Sequence, residues 1–224
     1  EKEAKELSKL LNPERPFVAI VAGAKEDKIG ALKALANKAD KILIGGVLAN
    51  TFLKSKGVDI GASKFDEETF NAAKELIELA GKKLVLPVDF VTADKFDSSA
   101  NIQIVSIDKI PKEWVAMDIG PQTIQNYKDE LKDAKTIFWA GPLGVFEMEK
   151  FSAGTKEIGE FLGNLNCTKI VGGGDTGAAI NSFNLADKMT HVSTGGGASL
   201  EFIEKEGKLP ALVALEKAYK KSKE

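Results

Sequence analysis

Six short apolar segments alternate with helical patterns along this chain, and this alternation constrains the fold more than any other feature. The segments are 17–21 (FVAIV), 41–45 (KILIG), 83–88 (KLVLPV), 136–140 (TIFWA), 169–172 (KIVG) and 191–194 (HVST). Apolar strands separated by helices indicate βαβ units, whose parallel strands are buried under helices on both faces. We therefore predict a three-layer α/β/α, doubly wound, Rossmann-like fold with a mostly parallel six-stranded sheet.

Helical periodicity fills most of the intervals between these segments. Helices are predicted near 28–37, 47–56, 66–80, 121–132, 153–164, 176–183 and 197–204. The pattern is clearest in 66–80, where Asp66 is suited to cap the first turn and Gly81 to end the helix. Residues 101–118 are less regular, and we expect small extra strands there, whereas a last helix is expected at 210–221.

Residues 1–11 have the periodicity of an amphipathic helix, which the segment NPERP (12–16) ends because proline cannot continue a helix. Residues 12–224 contain no internal repeat, so we predict one α/β domain. Because the chain opens on EKEAKELSKLL without a methionine, we expect it to be part of a longer protein.

Composition excludes several classes of function. The net charge of −2 argues against nucleic acid or an anionic membrane as a partner, and the longest apolar run is too short to span a bilayer. Cys167 is the only cysteine, which fits a reducing compartment and a cytoplasmic location. With His191 as the only histidine, a zinc site is excluded in practice.

Glycines follow five of the predicted strands. The segments after them read AGAKEDK, GG, GPLGVFE, GGGDT and GGGAS. In a parallel sheet the carboxyl ends of the strands share one rim, and glycine allows backbone amides to approach a ligand closely. Two triplets open directly into predicted helices, whose N-termini attract phosphate. The pattern favours a phosphate-binding rim with two amide-lined sites that face each other.

Asp175 follows one of these triplets and would repel a phosphate by itself. A Mg²⁺ ion held by one carboxylate and by phosphate oxygens removes the conflict, which indicates a Mg-nucleotide. The alternative is a tight turn in which Asp175 or Thr176 only caps the helix. Glu147, in the loop after 136–140, is suited to accept hydrogen bonds from ribose hydroxyls, or else to cap a helix.

Two lysines, and the absence of two common nucleotide-binding motifs, narrow the class of phosphate-binding site further. Lys25 and Lys28 lie just after the first strand, where an ammonium can follow a phosphoryl group in transfer, or where they are plain surface lysines. No Walker-type GxxxxGK[ST] occurs, and GPLGVF does not match GxGxxG. Arg15 is the only arginine, so an arginine-lined substrate pocket, if the reaction needs one, lies outside this chain.

The motifs NPERPFVAI, GAK…DKIG, ILIGG, LPVDFVTAD, MDIGP, WAGPLGVFE, VGGGDTGAA and HVSTGGGASLEF occur in this order along nearly the whole chain. In this they closely resemble the C-terminal, nucleotide-binding half of the phosphoglycerate kinase family. The resemblance implies a glycolytic enzyme that reversibly transfers the acyl phosphate of 1,3-bisphosphoglycerate to Mg-ADP, giving ATP and 3-phosphoglycerate.

The resemblance also implies roles for the residues on the phosphate side. Asp175 is similar to the Mg²⁺-linked carboxylate and Thr176 to a β-phosphate contact, while Lys25 resembles the lysine that follows the transferred group. Lys28 resembles an α-phosphate contact. The amide donors around the phosphoryl group are matched by Gly173, Gly174, Gly195 and Gly196.

On the base side, Glu147 matches the acid that binds the ribose. The adenine slot is matched by Gly45, Gly46, Ala116, Met117 and Pro142. Val47, Ala116 and Ala140 replace residues that are usual in the family. A second hypothesis, a non-catalytic folding unit without nucleotide affinity, rests on these replacements, and another α/β phosphate binder, such as a sugar-phosphate protein, is a weaker third.

The resemblance implies a missing partner as well. In the family the N-terminal half carries the phosphoglycerate site, rich in arginine and histidine, so residues 1–11 resemble the remnant of the interdomain helix. We expect the chain to be a monomer that binds ADP or ATP and turns over negligibly without that half, because phosphoryl transfer depends on positioning by both.

Overall fold

The computed structural model describes residues 2–23, 28–193, 195 and 197–208. In chain order its strands are β1 (Phe17–Val21), β2 (Lys41–Ile44), β3 (Leu84–Val85), β4 (Asp89–Ala93), β5 (Ile102–Ser106), β6 (Val115–Ile119), β7 (Thr136–Ala140), β8 (Thr168–Gly172) and β9 (His191–Val192). Its helices are α1 (Lys2–Ser8), α2 (Ile29–Lys38), α3 (Gly46–Ser55), α4 (Glu67–Ala80), α5 (Pro121–Leu131), α6 (Ala153–Gly163), α7 (Gly174–Ser182) and α8 (Ala198–Glu204).

The main sheet has six strands in the order β3-β2-β1-β7-β8-β9, and every neighbouring pair is parallel. The helices flank it in two packed groups, one made of α2, α3, α4 and α8 and the other of α5, α6 and α7. The predicted three-layer, doubly wound fold is confirmed. The central strands β1 and β7 are buried along their whole length, which explains why they read as continuous apolar runs.

The strand order reverses between β1 and β7, because the chain leaves β1 towards β2 and leaves β7 towards β8. In open parallel sheets a ligand crevice opens at this point, beyond the carboxyl ends of the strands. The two strand exits lie very close together: the Ala22 amide donates to the Ala140 carbonyl at 2.8 Å. A side chain on Gly141, which has a φ of 98°, would place its Cβ 1.9 Å from the Ala22 oxygen.

The core at the sheet is built from large side chains that are removed from water. The largest include Trp139, Phe138, Phe17 and Phe52, each fully buried. Burial of one such side chain stabilises the folded state by about 1.5–3 kcal/mol relative to its exposure. A buried hydrogen bond adds to this packing. The Tyr127 hydroxyl of α5 donates to the Ile44 carbonyl at 2.5 Å and joins that helix to the end of β2.

The helix predictions hold, with one boundary that matters for the site. Asp66 caps α4 as predicted, accepting a hydrogen bond from the Thr69 amide at 2.6 Å. The helix predicted at 176–183 begins earlier, at Gly174, and its N-cap is Gly173, with no side-chain capping bond. The interpretation of Asp175 or Thr176 as the helix cap is therefore wrong. The helix predicted at 210–221 lies outside the described residues.

A second, smaller sheet follows the third strand. It is antiparallel, in the order β5-β4-β6, and confirms the extra strands expected within 101–118. The strand predicted at 83–88 is only Leu84–Val85, and β4 was not predicted. The pairing of β4 with β6 shifts register between Val91 and Thr92, so a β-bulge interrupts β6 beside the carboxyl rim.

Helix α1 is tied to the carboxyl end of β9. The Glu3 carboxylate lies 2.7 Å from His191 Nε2 and also accepts a hydrogen bond from the Ser193 hydroxyl. The apolar side chains of Leu7 and Leu10 are buried in the main core. Residues 2–11 are thus packed onto the domain. None of the helices in the described part of the chain has the length and apolar character needed to cross a membrane.

Candidate functional site

Two cavities adjoin at the carboxyl rim of the main sheet. The larger is a cleft of about 550 Å³ between the start of α3, the strand β6 and the loop after β7. The smaller has about 230 Å³ and lies between the loop after β7 and the start of α7. Asp175 lines both, so one carboxylate stands where they meet. We refer to them as the larger cleft and the smaller cavity.

Most of the residues that the sequence analysis assigned to an adenine base and its ribose line the larger cleft. Gly46, Ala116, Met117, Pro142 and Glu147 all line it. Its remaining apolar lining comes from Val47, Phe90, Phe96, Val115, Leu143 and Val145, among others. A largely apolar cleft with a few polar groups is suited to an aromatic ring with a polar tail.

The bulge in β6 shapes one wall of the larger cleft. Ala116 pairs with Thr92 and Asp118 with Val91, which leaves Met117 without a partner in the ladder. The Met117 carbonyl instead accepts from the Val145 amide at 3.0 Å, so the wall is joined to the loop after β7. The bulge therefore holds β6 and this loop together on the same cleft.

Phe96 is a lining residue that the sequence analysis did not single out. The residue is 61% exposed, which is unusual for a large aromatic residue, and it lines the larger cleft. An exposed ring beside an apolar cleft provides a stacking surface. The signal available in the sequence was an aromatic residue inside an otherwise polar loop, ADKFDSS.

The smaller cavity is lined mainly by glycine backbone. Gly172, Gly173 and Gly174 line it from one triplet and Gly197 from the other, so the two triplets lie on the same side of the molecule. Gly173 has a φ of 91°, which directs the chain into α7. The amides in the first turn of a helix have no acceptor within the helix, and here that turn faces the cavity.

Thr176 and Lys28 hold the walls of the smaller cavity. The buried Thr176 hydroxyl accepts a hydrogen bond from the Gly141 amide at 2.6 Å, which joins α7 to the end of β7. Lys28, at the N-cap of α2, is only 6% exposed, and its ammonium donates to the Ala22 carbonyl at the end of β1. Both residues line the cavity. The ammonium places a positive charge beside the glycine backbone.

Asp118 is an unusual acid in the wall of the larger cleft, because it is 2% exposed. Its carboxylate accepts from the Ile119 amide and from the Gly154 amide at the start of α6, both at 2.8 Å. Burial raises the pKa of Asp118 to about 8, although these two hydrogen bonds act in the opposite direction. The carboxyl thus holds α6 against β6.

The remaining predicted residues are placed differently or lie outside the described part. Gly45 does not line either cavity: a Cβ there would lie 2.5 Å from Leu143, so this glycine serves close packing. Gly195 lies beside Ser193 and Glu3 rather than in the lining of the smaller cavity. Lys25 and Gly196 fall outside the described residues, and their roles stay predictions.

Arg15 lies far from this rim. It precedes β1, at the amino ends of the strands, where its guanidinium pairs with Asp40 at 2.5 Å and donates to the Lys38 carbonyl at 3.1 Å. Because it is the only arginine in the chain, no arginine of this chain reaches the two cavities.

The family of the chain follows from a comparison of sequences. The sequence model described as "Phosphoglycerate kinase" matches residues 1–207. The chain belongs to this family. The resemblance to the C-terminal half of phosphoglycerate kinase, drawn from the motifs, is confirmed. The family match covers every described residue that lines either cavity, from Gly23 to Leu200.

Relatives and solved structures agree with this. The chain is 52% identical to the phosphoglycerate kinase of Limosilactobacillus reuteri, over 96% of this chain and 54% of that protein. It is 53% identical to that of Latilactobacillus sakei, with the same coverage. The structure of phosphoglycerate kinase from Coxiella burnetii matches with a TM-score of 0.89 and 44% identity, over 94% of this chain and 56% of that one. The chain thus spans about half the length of the relatives it matches.

Proposed function

We propose that this chain is the half of a phosphoglycerate kinase that binds Mg-ADP and Mg-ATP. The observation that carries the proposal is the position of Asp175, shared by an apolar cleft and a glycine-lined cavity. An aromatic base fits the first and a phosphate chain the second. The volume of the larger cleft, about 550 Å³, lies within the range of small-molecule sites.

The residues present fit a magnesium ion held together with a nucleotide. Among the described residues there is no group of three or more His, Cys, Asp or Glu side chains that would bind a metal by themselves. Mg²⁺ commonly takes one or two carboxylates and completes its shell with phosphate oxygens and water. Asp175 is an exposed carboxylate at the edge of the smaller cavity and supplies such a ligand. Bound there, the ion would neutralise phosphate charge.

Each wall of the site then has a defined task. The first-turn amides of α7, beginning at Gly174, hold phosphate oxygens, and the Lys28 ammonium adds positive charge to the same cavity. Glu147, exposed at the edge of the larger cleft, accepts from ribose hydroxyls. In the proposed reaction of the whole protein, the ADP β-phosphate oxygen attacks the phosphoryl group of 1,3-bisphosphoglycerate, and the carboxylate of 3-phosphoglycerate leaves.

The proposal assigns the site for 1,3-bisphosphoglycerate and 3-phosphoglycerate to the other half of the protein. A site for 3-phosphoglycerate needs cations for a carboxylate and a phosphate, and Arg15 lies at the opposite end of the sheet. We therefore propose that this chain alone, a monomer of residues 12–224 preceded by the end of an interdomain helix, binds nucleotide with negligible turnover. A cytoplasmic location belongs to the same proposal.

Calorimetric titration of the chain with ADP, with and without Mg²⁺, tests the proposal. We expect saturable binding of one nucleotide that Mg²⁺ strengthens, because the ion screens the phosphates from Asp175. The midpoint of thermal unfolding should rise more with ADP and Mg²⁺ together than with ADP alone, since a ligand of the native state raises the midpoint. If millimolar ADP changes neither heat nor midpoint in the presence of Mg²⁺, the proposal is wrong and the non-catalytic folding unit replaces it.

We expect Gly174→Ala to weaken ADP binding without destabilising the fold. A Cβ at Gly174 would meet no atom within 4 Å and would point into open space at the start of α7. A methyl group there obstructs the approach of a phosphate to the first-turn amides, and loss of such a charged hydrogen bond costs about tenfold or more in affinity. Calorimetry measures the affinity, and urea unfolding measures the stability.

Gly177→Ala is the matched control for this change. It lies in the same helix, and its Cβ would lie 3.4 Å from Val192, an ordinary contact away from the cavity lining. Both substitutions reduce the entropy of the unfolded chain and should stabilise by about 0.4–1 kcal/mol. Equal ADP affinity in the two variants would contradict the placement of phosphate at the start of α7.

A further inference from the structure

The loop after β7, residues 141–147, is joined to α7 at both of its ends. At its start the Gly141 amide donates to the Thr176 hydroxyl at 2.6 Å. At its end the Phe146 ring contacts the ring of Phe183, with 6.4 Å between the ring centroids and 74° between the ring planes. This edge-to-face arrangement is one that aromatic pairs prefer. One helix therefore holds both ends of a loop that forms part of the larger cleft.

Phe183 is suited to anchor this loop, because it is the C-cap of α7 and lies at a well-bonded helix end. The Asn184 amide donates to the Asn181 carbonyl at 3.0 Å, and Asn184 has a φ of 56°. The Leu185 amide donates to the Ile180 carbonyl, also at 3.0 Å. These two bonds and the left-handed residue make a Schellman motif, which satisfies the last carbonyls of a helix. The backbone that carries the Phe183 ring is thus fixed to α7.

A turn at the end of the loop places Phe146 next to Glu147. The Met148 amide donates to the Val145 carbonyl at 3.0 Å, so Phe146 and Glu147 are the two central residues of this turn. Val145 and Met148 pack against the apolar cluster beside the smaller sheet. Glu147 lines the larger cleft, whereas Phe146 contacts Phe183. Because the two central residues share a peptide group, a contact that fixes the Phe146 ring also limits the direction of Glu147.

We propose that Phe183, through its contact with Phe146, positions the Glu147 carboxylate for the ribose hydroxyls of the nucleotide. This rests on the proposed nucleotide site and deepens it by naming a positioning residue. Phe183 itself is not part of the lining of either cavity, so its ring acts on the ligand only through the turn. The start of α7 then holds the phosphates, and its end holds the group that binds the ribose. Both contacts depend on the placement of one helix.

The test is a pair of calorimetric titrations in Mg²⁺, with ADP and with 2′,3′-dideoxy-ADP, which lacks both ribose hydroxyls. We call the ratio of the two affinities the ribose preference. In the unmodified chain we expect a preference of about tenfold for ADP, because hydrogen bonds to a charged group are strong. Phe183→Ala should reduce it by about 2- to 10-fold, since the aromatic contact that holds the turn is lost. Glu147→Ala gives the preference that remains without the carboxylate.

Three further variants separate positioning from a general loss of packing. Phe161→Ala is the matched control, because Phe161 of α6 is also half-buried and packs against the main core, and it should keep the ribose preference. Phe183→Trp supplies another aromatic edge to Phe146 and should restore the preference. Phe146→Ala removes the same contact from the loop, so it should match Phe183→Ala, and the double variant should be no lower. It also keeps the test decisive if Phe183→Ala does not fold.

The outcomes distinguish the positioning role from the nucleotide site. The role of Phe183 is wrong if Phe183→Ala and Phe146→Ala keep the ribose preference of the unmodified chain, or if Phe161→Ala lowers it as much. It is also wrong if ADP and dideoxy-ADP bind the unmodified chain equally while Mg²⁺ strengthens both, although the nucleotide site then stands. If neither nucleotide binds, the nucleotide site itself is wrong, and the positioning role is wrong with it.

Discussion

Asp175→Ala should abolish the dependence of ADP binding on Mg²⁺ and weaken binding of Mg-ADP by at least about tenfold. Asp175 is an exposed carboxylate in the second position of α7, and it lines both the larger cleft and the smaller cavity. Without this ligand the ion binds through phosphate oxygens and water alone, so it no longer connects the nucleotide to the protein. Calorimetric titrations with and without Mg²⁺ measure both effects.

The change in ADP affinity of this variant in the absence of metal is also informative. When Mg²⁺ is absent, the unmodified carboxylate repels the phosphates, so Asp175→Ala should bind free ADP as well as or better than the unmodified chain. The control is Asp187→Ala, which removes the same charge from another exposed position that lines neither cavity. An equal response to Mg²⁺ in the Asp175→Ala and Asp187→Ala variants would contradict the proposed metal ligand.

Asp118→Asn should remove a large pH dependence from the stability of the fold. Burial raises the pKa of Asp118 to about 8, compared with about 3.9 in the unfolded chain. Between these values the unfolded state has released the proton while the folded state keeps it. The free energy of unfolding therefore decreases as pH rises from about 4 to 8, by up to about 1.4 kcal/mol per pH unit from this group.

Asparagine does not ionise, so the variant should lose this decrease. Its single amide oxygen can accept from only one of the Ile119 and Gly154 amides, which lowers its stability by a similar amount at every pH. We expect the variant to become more stable relative to the unmodified chain as pH rises from 4 to 8. Urea unfolding at several pH values measures it, with Asp187→Asn as an exposed control. A stability difference that does not change with pH would show that Asp118 is ionised throughout this range in the folded protein.

The parts of the fold that follow from local signals could be predicted from the sequence. Strand β7 reads as a buried run in TIFWA, and α4 has its cap at Asp66, because each signal lies within the element itself. The start of α7 was placed too late, because glycine usually marks a turn rather than a helical position. At Gly174 the helix accepts glycine within its first turn.

The site was predictable in part, for a related reason. The two glycine triplets and Asp175 lie next to strand ends, so the sequence placed them on one rim. Asn50, Phe96 and Asp118 were not found as lining residues, because each faces the larger cleft only through contacts between distant segments. Asn50 did leave a weak signal, as one of two adjacent polar residues in the mostly apolar segment VLANTFL of α3.

A crystal structure of the chain with Mg-ADP tests the central claim most directly, which is that the larger cleft and the smaller cavity form one nucleotide site. We predict the base in the larger cleft against Ala116 and Met117, the phosphates at the start of α7, and the metal bound to Asp175. A nucleotide bound elsewhere on the chain, or one whose phosphates point away from α7, would contradict the account.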